Sequence, residues 1–362
     1  MINADGSMTL WGGAALSPTV KRAMNEADSF VEMEELLEKS GERVAELFGV
    51  EAAYITSGCF AALALSTAAC MASRDKIKIG RLPDTTGMKD QVLIQKRQRH
   101  AYDRALTASG ATLVAVGTDK SCSADDLTHA IGPKTAAISY NLKSRLGDPY
   151  LSVEEVVRIA RVHGLPSIID SAEQVFPVDY FQANARSGDL VSFGAKYFGG
   201  PQSTGFVCGR RDLVEAIAAH GFIGFYDPEA RSFGRGFKVD RQEVVGMVAA
   251  LEEWLTMDHE RRISGYDERL SALARELARI SAVTETELVR LESYAGAALH
   301  VSFDPAVAGK DTGQAVADLN AGSPRIFLRS AGDAKLAITA INLYEGDEAI
   351  IAERLADVLG GS

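Results

Sequence analysis

A chain of 362 residues with 46% hydrophobic and 24% charged residues can bury two cores, and its composition excludes disordered and fibrous classes. A formal net charge of -11 and an isoelectric point near 5.2 argue against a nucleic-acid surface, which needs clustered Lys and Arg. The one basic cluster, Lys96-Arg97-Gln98-Arg99-His100, is too local to make such a face, and the longest apolar stretch, Cys59 to Ala72, is too short to span a bilayer.

The N-terminus lacks a basic region followed by an apolar core, so a cytoplasmic location is expected. Cys59, Cys70, Cys122 and Cys208 show no C-x-x-C spacing; most of them read as small buried hydrophobes, and no metal site is expected. In chain order, apolar residues at three and four spacing predict a helix over Glu34 to Val50, stopped by Gly49. Apolar runs at Gln91 to Ile94, Thr112 to Val116, Thr135 to Tyr140, Pro166 to Asp170 and Leu190 to Phe193 then alternate with helical patterns. Such alternation reads as β-α-β units building a mainly parallel sheet. Past Asp240 two long helices are predicted, Arg241 to Thr256 and His259 to Ile280. After them come strands at Ala297 to Ser302, Arg325 to Leu328 and Leu336 to Thr339, with helices near Thr312 to Leu319 and Asp347 to Leu359. The expected division is an N-terminal segment 1–20, a large domain 21–242 and a small C-terminal α+β domain 243–362.

Three features in order point to one cofactor. Thr56-Ser57-Gly58-Cys59 is a strand-to-helix turn before an Ala-rich helix, and free N–H groups at such a turn make a phosphate site. Alone, Ser-Gly before a helix is more often plain capping. Ile168-Ile169-Asp170 brings a carboxylate to a strand end, where it can keep the pyridine nitrogen of pyridoxal phosphate protonated; Ala172 could lie flat against the ring. A helix-capping Asp would look the same. Lys196 follows another strand among small residues, in Gly194-Ala195-Lys196-Tyr197-Phe198-Gly199-Gly200-Pro201-Gln202, the confined setting a Schiff-base lysine needs. Phosphate turn, Asp and Lys in this order, each at a strand end, are far rarer than any one of them.

At these residues the chain resembles the fold-type-I pyridoxal phosphate enzymes of the selenocysteine synthase (L-seryl-tRNA selenium transferase) type, most closely their D-glucosaminate-6-phosphate ammonia-lyase-like branch. The resemblance covers nearly the whole chain, from Ile2-Asn3-Ala4-Asp5-Gly6 through Ile169-Asp170-Ser171-Ala172 to Gly234-Arg235-Gly236-Phe237-Lys238. It implies an aspartate aminotransferase-like fold, with Lys196 carrying the Schiff base and Asp170 on the pyridine nitrogen. It also implies Ser57, Gly58 and Cys59 around the phosphate, with a hydroxyl added by Ser192, and His100 over the ring face. Gln202 and Ser203 resemble the segment that reaches the partner subunit's cofactor, which implies a homodimer. Cys59 and Phe60 depart from the small residues usual there and suggest a bulkier wall at the phosphate end.

Arg325 is a candidate for a substrate carboxylate, because a guanidinium fork suits planar anions; Arg231, Arg235 and Lys238 compete with it. The acidic chain starts directly at the catalytic domain, which disfavours a tRNA substrate. The resemblance therefore implies a lyase that takes the α-proton of a small amino acid or amino-sugar acid and eliminates across the α,β bond. Racemisation or epimerisation is the alternative, then transamination, and outside the enzymes a catalytically silent pyridoxal phosphate-binding protein.

Overall fold

The computed structural model describes residues 1–142, 147–291 and 296–360. Among these the strands are, in chain order, β1 (Ile2–Asn3), β2 (Ala52–Thr56), β3 (Gln91–Gln95), β4 (Thr112–Val116), β5 (Thr135–Asn141), β6 (Ser167–Asp170), β7 (Leu190–Gly194), β8 (Gly205–Gly209), β9 (Val283–Arg290), β10 (Ala297–Phe303), β11 (Ile326–Phe327), β12 (Arg329–Gly332) and β13 (Lys335–Thr339).

The larger of two compact units, Leu16–Leu255, is built on a seven-stranded sheet in the order β2-β8-β7-β6-β5-β3-β4. Strands β7, β6, β5, β3 and β4 run parallel, and β8 is antiparallel to both its neighbours. Every residue of β5, β7 and β8 is buried, as expected of strands covered on both faces. The helix Gly58–Ala72 is apolar on all sides and buried along nearly its whole length. The helix Met33–Phe48 ends at Gly49 as its pattern predicts, and Phe48 joins Phe181, Phe193 and Phe206 with ring centroids 4.8 to 6.2 Å apart. Truncating one of these buried rings to Ala costs about 3–5 kcal/mol.

The helix Arg241–Thr256 has the bounds predicted, and it belongs to the larger unit. Val244, Met247, Ala250, Leu251 and Trp254 enter its core, and Trp254 Nε1 donates to Val175 O at 2.9 Å. The boundary therefore falls at Leu255, where the buried face ends, and not at the change of pattern past Asp240.

The smaller unit comprises Met1–Ala15 and Thr256–Ser362. Its antiparallel sheet runs β12-β13-β10-β9, and β1 lies parallel to β11, so the first residues are part of this unit. Leu299, Val301, Phe303, Leu336 and Ile338 alternate inward onto a core shared with the helices His259–Leu277 and Asp347–Leu359. Strand β9, Val-Thr-Glu-Thr-Glu-Leu-Val-Arg, escapes an apolar search because it is an edge strand with its glutamates outward.

Candidate active site

Parallel register aligns the polar strand ends. Asn141 of β5 is level with Asp170 of β6, and Asp170 with Ser192 of β7. Ligands of open parallel sheets bind beyond such carboxyl ends.

Beside this row the chain leaves β2 through Ser57 into the helix Gly58–Ala72. Gly58 has φ +83°, and Ser57 accepts no hydrogen bond from the first turn. The turn lies directly on Gly205 of β8: a Cβ there would stand 3.1 Å from Gly58 C, 3.2 Å from Cys59 N and 2.4 Å from Phe193 O. Glycine at 205 is what lets this helix start press onto the sheet, and its first N–H groups are left without a side-chain cap.

Cys59 turns its thiol away from that turn, to 3.7 Å from Asp170 Oδ1. Burial, reinforced by the Asp170 charge, pushes the thiol well above its ordinary pKa. The Asp170 carboxyl is itself pushed up by burial, against the Ala172 N–H donating to it at 3.1 Å. Among the described residues no Lys or Arg pairs with it. Phe60, beside Cys59 in this turn, is 45% exposed.

Lys196 is half-buried on the short turn Ala195–Phe198 that continues β7, with Nζ 4.9 Å from the Tyr197 ring centroid. The Tyr197 phenol is raised by burial, then by Glu173, Cys59, Tyr102 and Asp170, so this ring belongs to the same locality. Neither Tyr197 nor the buried Glu173 stood out in the sequence, where one follows the lysine and the other sits three residues past Asp170.

His100 heads the turn Ala101–Asp103, its Nδ1 accepting from Tyr102 N–H at 3.2 Å and its Nε2 facing the Asn141 side chain. Ser192 is fully buried and its Oγ has no hydrogen-bond partner. Gln202 Oε1 is also buried without a partner, whereas Ser203 Oγ donates to Glu243 of its own chain. Arg235 lies 5.8 Å from the Tyr226 ring, Lys238 and Arg231 are exposed, and none of the three has a hydrogen bond or ion pair to Lys196, Asp170 or the Ser57 turn. Arg325 belongs to the smaller unit, where Nε donates to Asn320 O at 2.8 Å and the guanidinium lies 4.9 Å from the Phe327 ring.

These residues fit pyridoxal phosphate: uncapped N–H groups at a glycine turn suit a phosphate, and a buried carboxyl with no cation beside it suits a pyridinium. Fold and site define a fold-type-I pyridoxal phosphate enzyme. Residues 18–332 match the family model for aminotransferase class-V, and the chain belongs to that family.

It is 30% identical to the 5'-C-glycyluridine monooxygenase-decarboxylase of a Streptomyces species, over 99% of this chain and 90% of that protein. It is 33% identical to the D-glucosaminate-6-phosphate ammonia lyase of Salmonella typhimurium, over 70% of this chain and 67% of that protein. A selenium transferase from Moorella thermoacetica is 28% identical over 71% of this chain, which spans 56% of that protein. The solved structure of D-glucosaminate-6-phosphate ammonia-lyase superposes with a TM-score of 0.85 at 27% identity, covering 99% of this chain and 95% of that one.

Proposed function

We propose that this chain is a pyridoxal phosphate-dependent lyase that eliminates across the α,β bond of a small amino acid or amino-sugar acid. The observation that carries the reading is the row of strand ends Asn141, Asp170 and Ser192 between the uncapped Ser57 turn and Lys196. In this reading the N–H groups of Gly58 and Cys59, with Ser57 and Ser192, hold the phosphate. Asp170 faces the ring nitrogen, Ala172 lies under the ring and His100 over it. The cofactor, when bound, supplies an electron sink for charge developed at the substrate α-carbon. Lys196, with Nζ 4.9 Å from the Tyr197 ring centroid, takes the proton from that carbon.

The relatives that are 30% and 33% identical favour a substrate with a sugar attached to an amino acid, since one name describes a glycyl uridine and the other an amino-sugar acid phosphate. A cytoplasmic homodimer is the assembly this reading implies. The buried, unpartnered Gln202 Oε1 supports a second copy nearby, and sedimentation of the holoenzyme tests it.

The deciding experiment offers the holoenzyme a panel of D- and L-amino acids and amino-sugar acids and assays ammonia and keto acid. Both products together support elimination; loss of optical rotation without ammonia means racemisation. A second reading, oxidative decarboxylation, is favoured by the Streptomyces relative matching 99% of this chain. Uptake of dioxygen with release of carbon dioxide in the same assay would establish it instead.

A further inference from the structure

The ring of His100 is held at both nitrogens. Nδ1 accepts the Tyr102 N–H, so it carries no proton and the neutral imidazole has its hydrogen on Nε2. The structure sets Asn141 Nδ2 against Nε2, which would make both ring nitrogens acceptors and leave neither with the proton of a neutral imidazole; exchanging the two ends of the amide places Oδ1 on the ring N–H, and hydrogen-bond partners are what tell those ends apart.

Asn141 is in turn fixed from behind. Gln98, fully buried, donates from Nε2 to Asn141 O at 3.0 Å and receives Asn141 N–H on Oε1 at 3.5 Å, so one side chain pairs with the backbone of Asn141 as a strand would. Gln95 makes the same pair of bonds with Leu151, donating to its O at 2.9 Å and accepting its N–H at 3.0 Å. Gln98 thus anchors the segment that carries His100 onto the end of β5, level with Asp170, and Gln95 ties the start of that segment to Leu151.

We infer that Asn141 is a positioning residue: its Oδ1 holds His100 as the neutral Nε2–H form in one ring plane, which makes His100 a flat uncharged surface and withholds it from acid–base work. The tautomer and its control stand independently of the cofactor reading; only the use of that surface rests on it. Among the described residues the charged and titratable groups near His100 are Asp103, Arg99, Tyr102 and Asp170. Asp103 Oδ1 lies 3.8 Å from Nε2 and would favour an imidazolium, but Arg99 pairs with that carboxylate.

The test uses full-length holoenzyme labelled with 15N-histidine, read by long-range 1H–15N correlation at pH 7, with His100→Gln identifying the signal among six histidines. The expected spectrum shows Nε2–H for His100. Asn141→Leu converts it to a mixture of tautomers, and the near-isosteric Asn141→Asp raises the imidazole pKa by about 1 unit or more, as an adjacent carboxylate does. Asn141→Asp should also shift the pH titration of the cofactor's visible band, which a purely structural residue would leave in place. Nδ1–H or imidazolium in the unsubstituted protein, or an unchanged tautomer in Asn141→Leu, overturns the inference. Unchanged cofactor retention in His100→Gln, with the tautomer responses intact, sinks the ring-facing role of His100 and leaves the assignment of Asn141 standing.

Discussion

Two aspartates sit at opposite ends of one strand pair, Asp189 just before β7 and Asp170 at the close of β6. Asp189 is answered by its own fold: Oδ2 accepts Ser167 N–H at 2.9 Å and Ser167 Oγ–H at 2.8 Å, and Arg210 Nη1 lies 3.6 Å from Oδ1. Asp170 has one backbone N–H and a weakly donating thiol, and among the described residues no Lys or Arg. A carboxylate that serves the fold closes its own hydrogen bonds, whereas one kept for a ligand is left short of them, at a cost in stability.

Substitutions separate the two ends. Lys196→Ala should remove the lysine-linked visible band and its fixation by borohydride, and lower kcat/KM by about 10³-fold; a retained band would break the assignment at this end of the sheet. Asp170→Ala should lower kcat by about 10²-fold while leaving urea stability unchanged or higher, because an uncompensated buried carboxyl is removed. Asp189→Ala should do the reverse, with an unaltered cofactor spectrum and a loss of about 1–3 kcal/mol from stranding the buried N–H and hydroxyl of Ser167. Equal behaviour of the two variants would erase the distinction.

Gly205→Ala sharpens it by leaving both carboxylates in place. The added Cβ, 2.4 Å from Phe193 O, should push the Ser57 turn off β8, weakening pyridoxal phosphate retention in equilibrium dialysis at about 1–3 kcal/mol of stability.

A pH effect without bearing on either carboxylate concerns His220, whose pKa burial lowers to about 4 while Nε2 bonds Ser73 O at 3.0 Å. In the unfolded chain it titrates near 6.5. Above that pH both states are neutral and nothing is lost. As pH falls toward 4 only the unfolded chain gains the proton, and up to about 3 kcal/mol of stability disappears. Urea midpoints at pH 8, 6 and 5 should show this decline, flattened in His220→Gln.

Much of the larger unit was legible because its parallel strands are buried on both faces, so Gln91 to Ile94 or Leu190 to Phe193 cannot be mistaken for polar loops. Lys196, Asp170 and the Ser57 turn were legible because each stands at the end of such a run. Strand β8 was not, since Gly205 and Gly209 bound a run of three. The Asn141 contacts to Gln98 and His100 join residues 43 and 41 apart, and nothing local marks such a pairing. The unit boundary was misplaced because a polar turn at Asp240 shows in sequence and the destination of a helix face does not.

The parallel register has a consequence for descent. Because backbone pairing holds Asn141, Asp170 and Ser192 abreast, mutation can exchange one of these side chains while its neighbours keep their stations. Spacing is inherited from the ladder and chemistry from the individual residues. That separation makes intelligible how a monooxygenase-decarboxylase, an ammonia lyase and a selenium transferase can all be kin of this one chain.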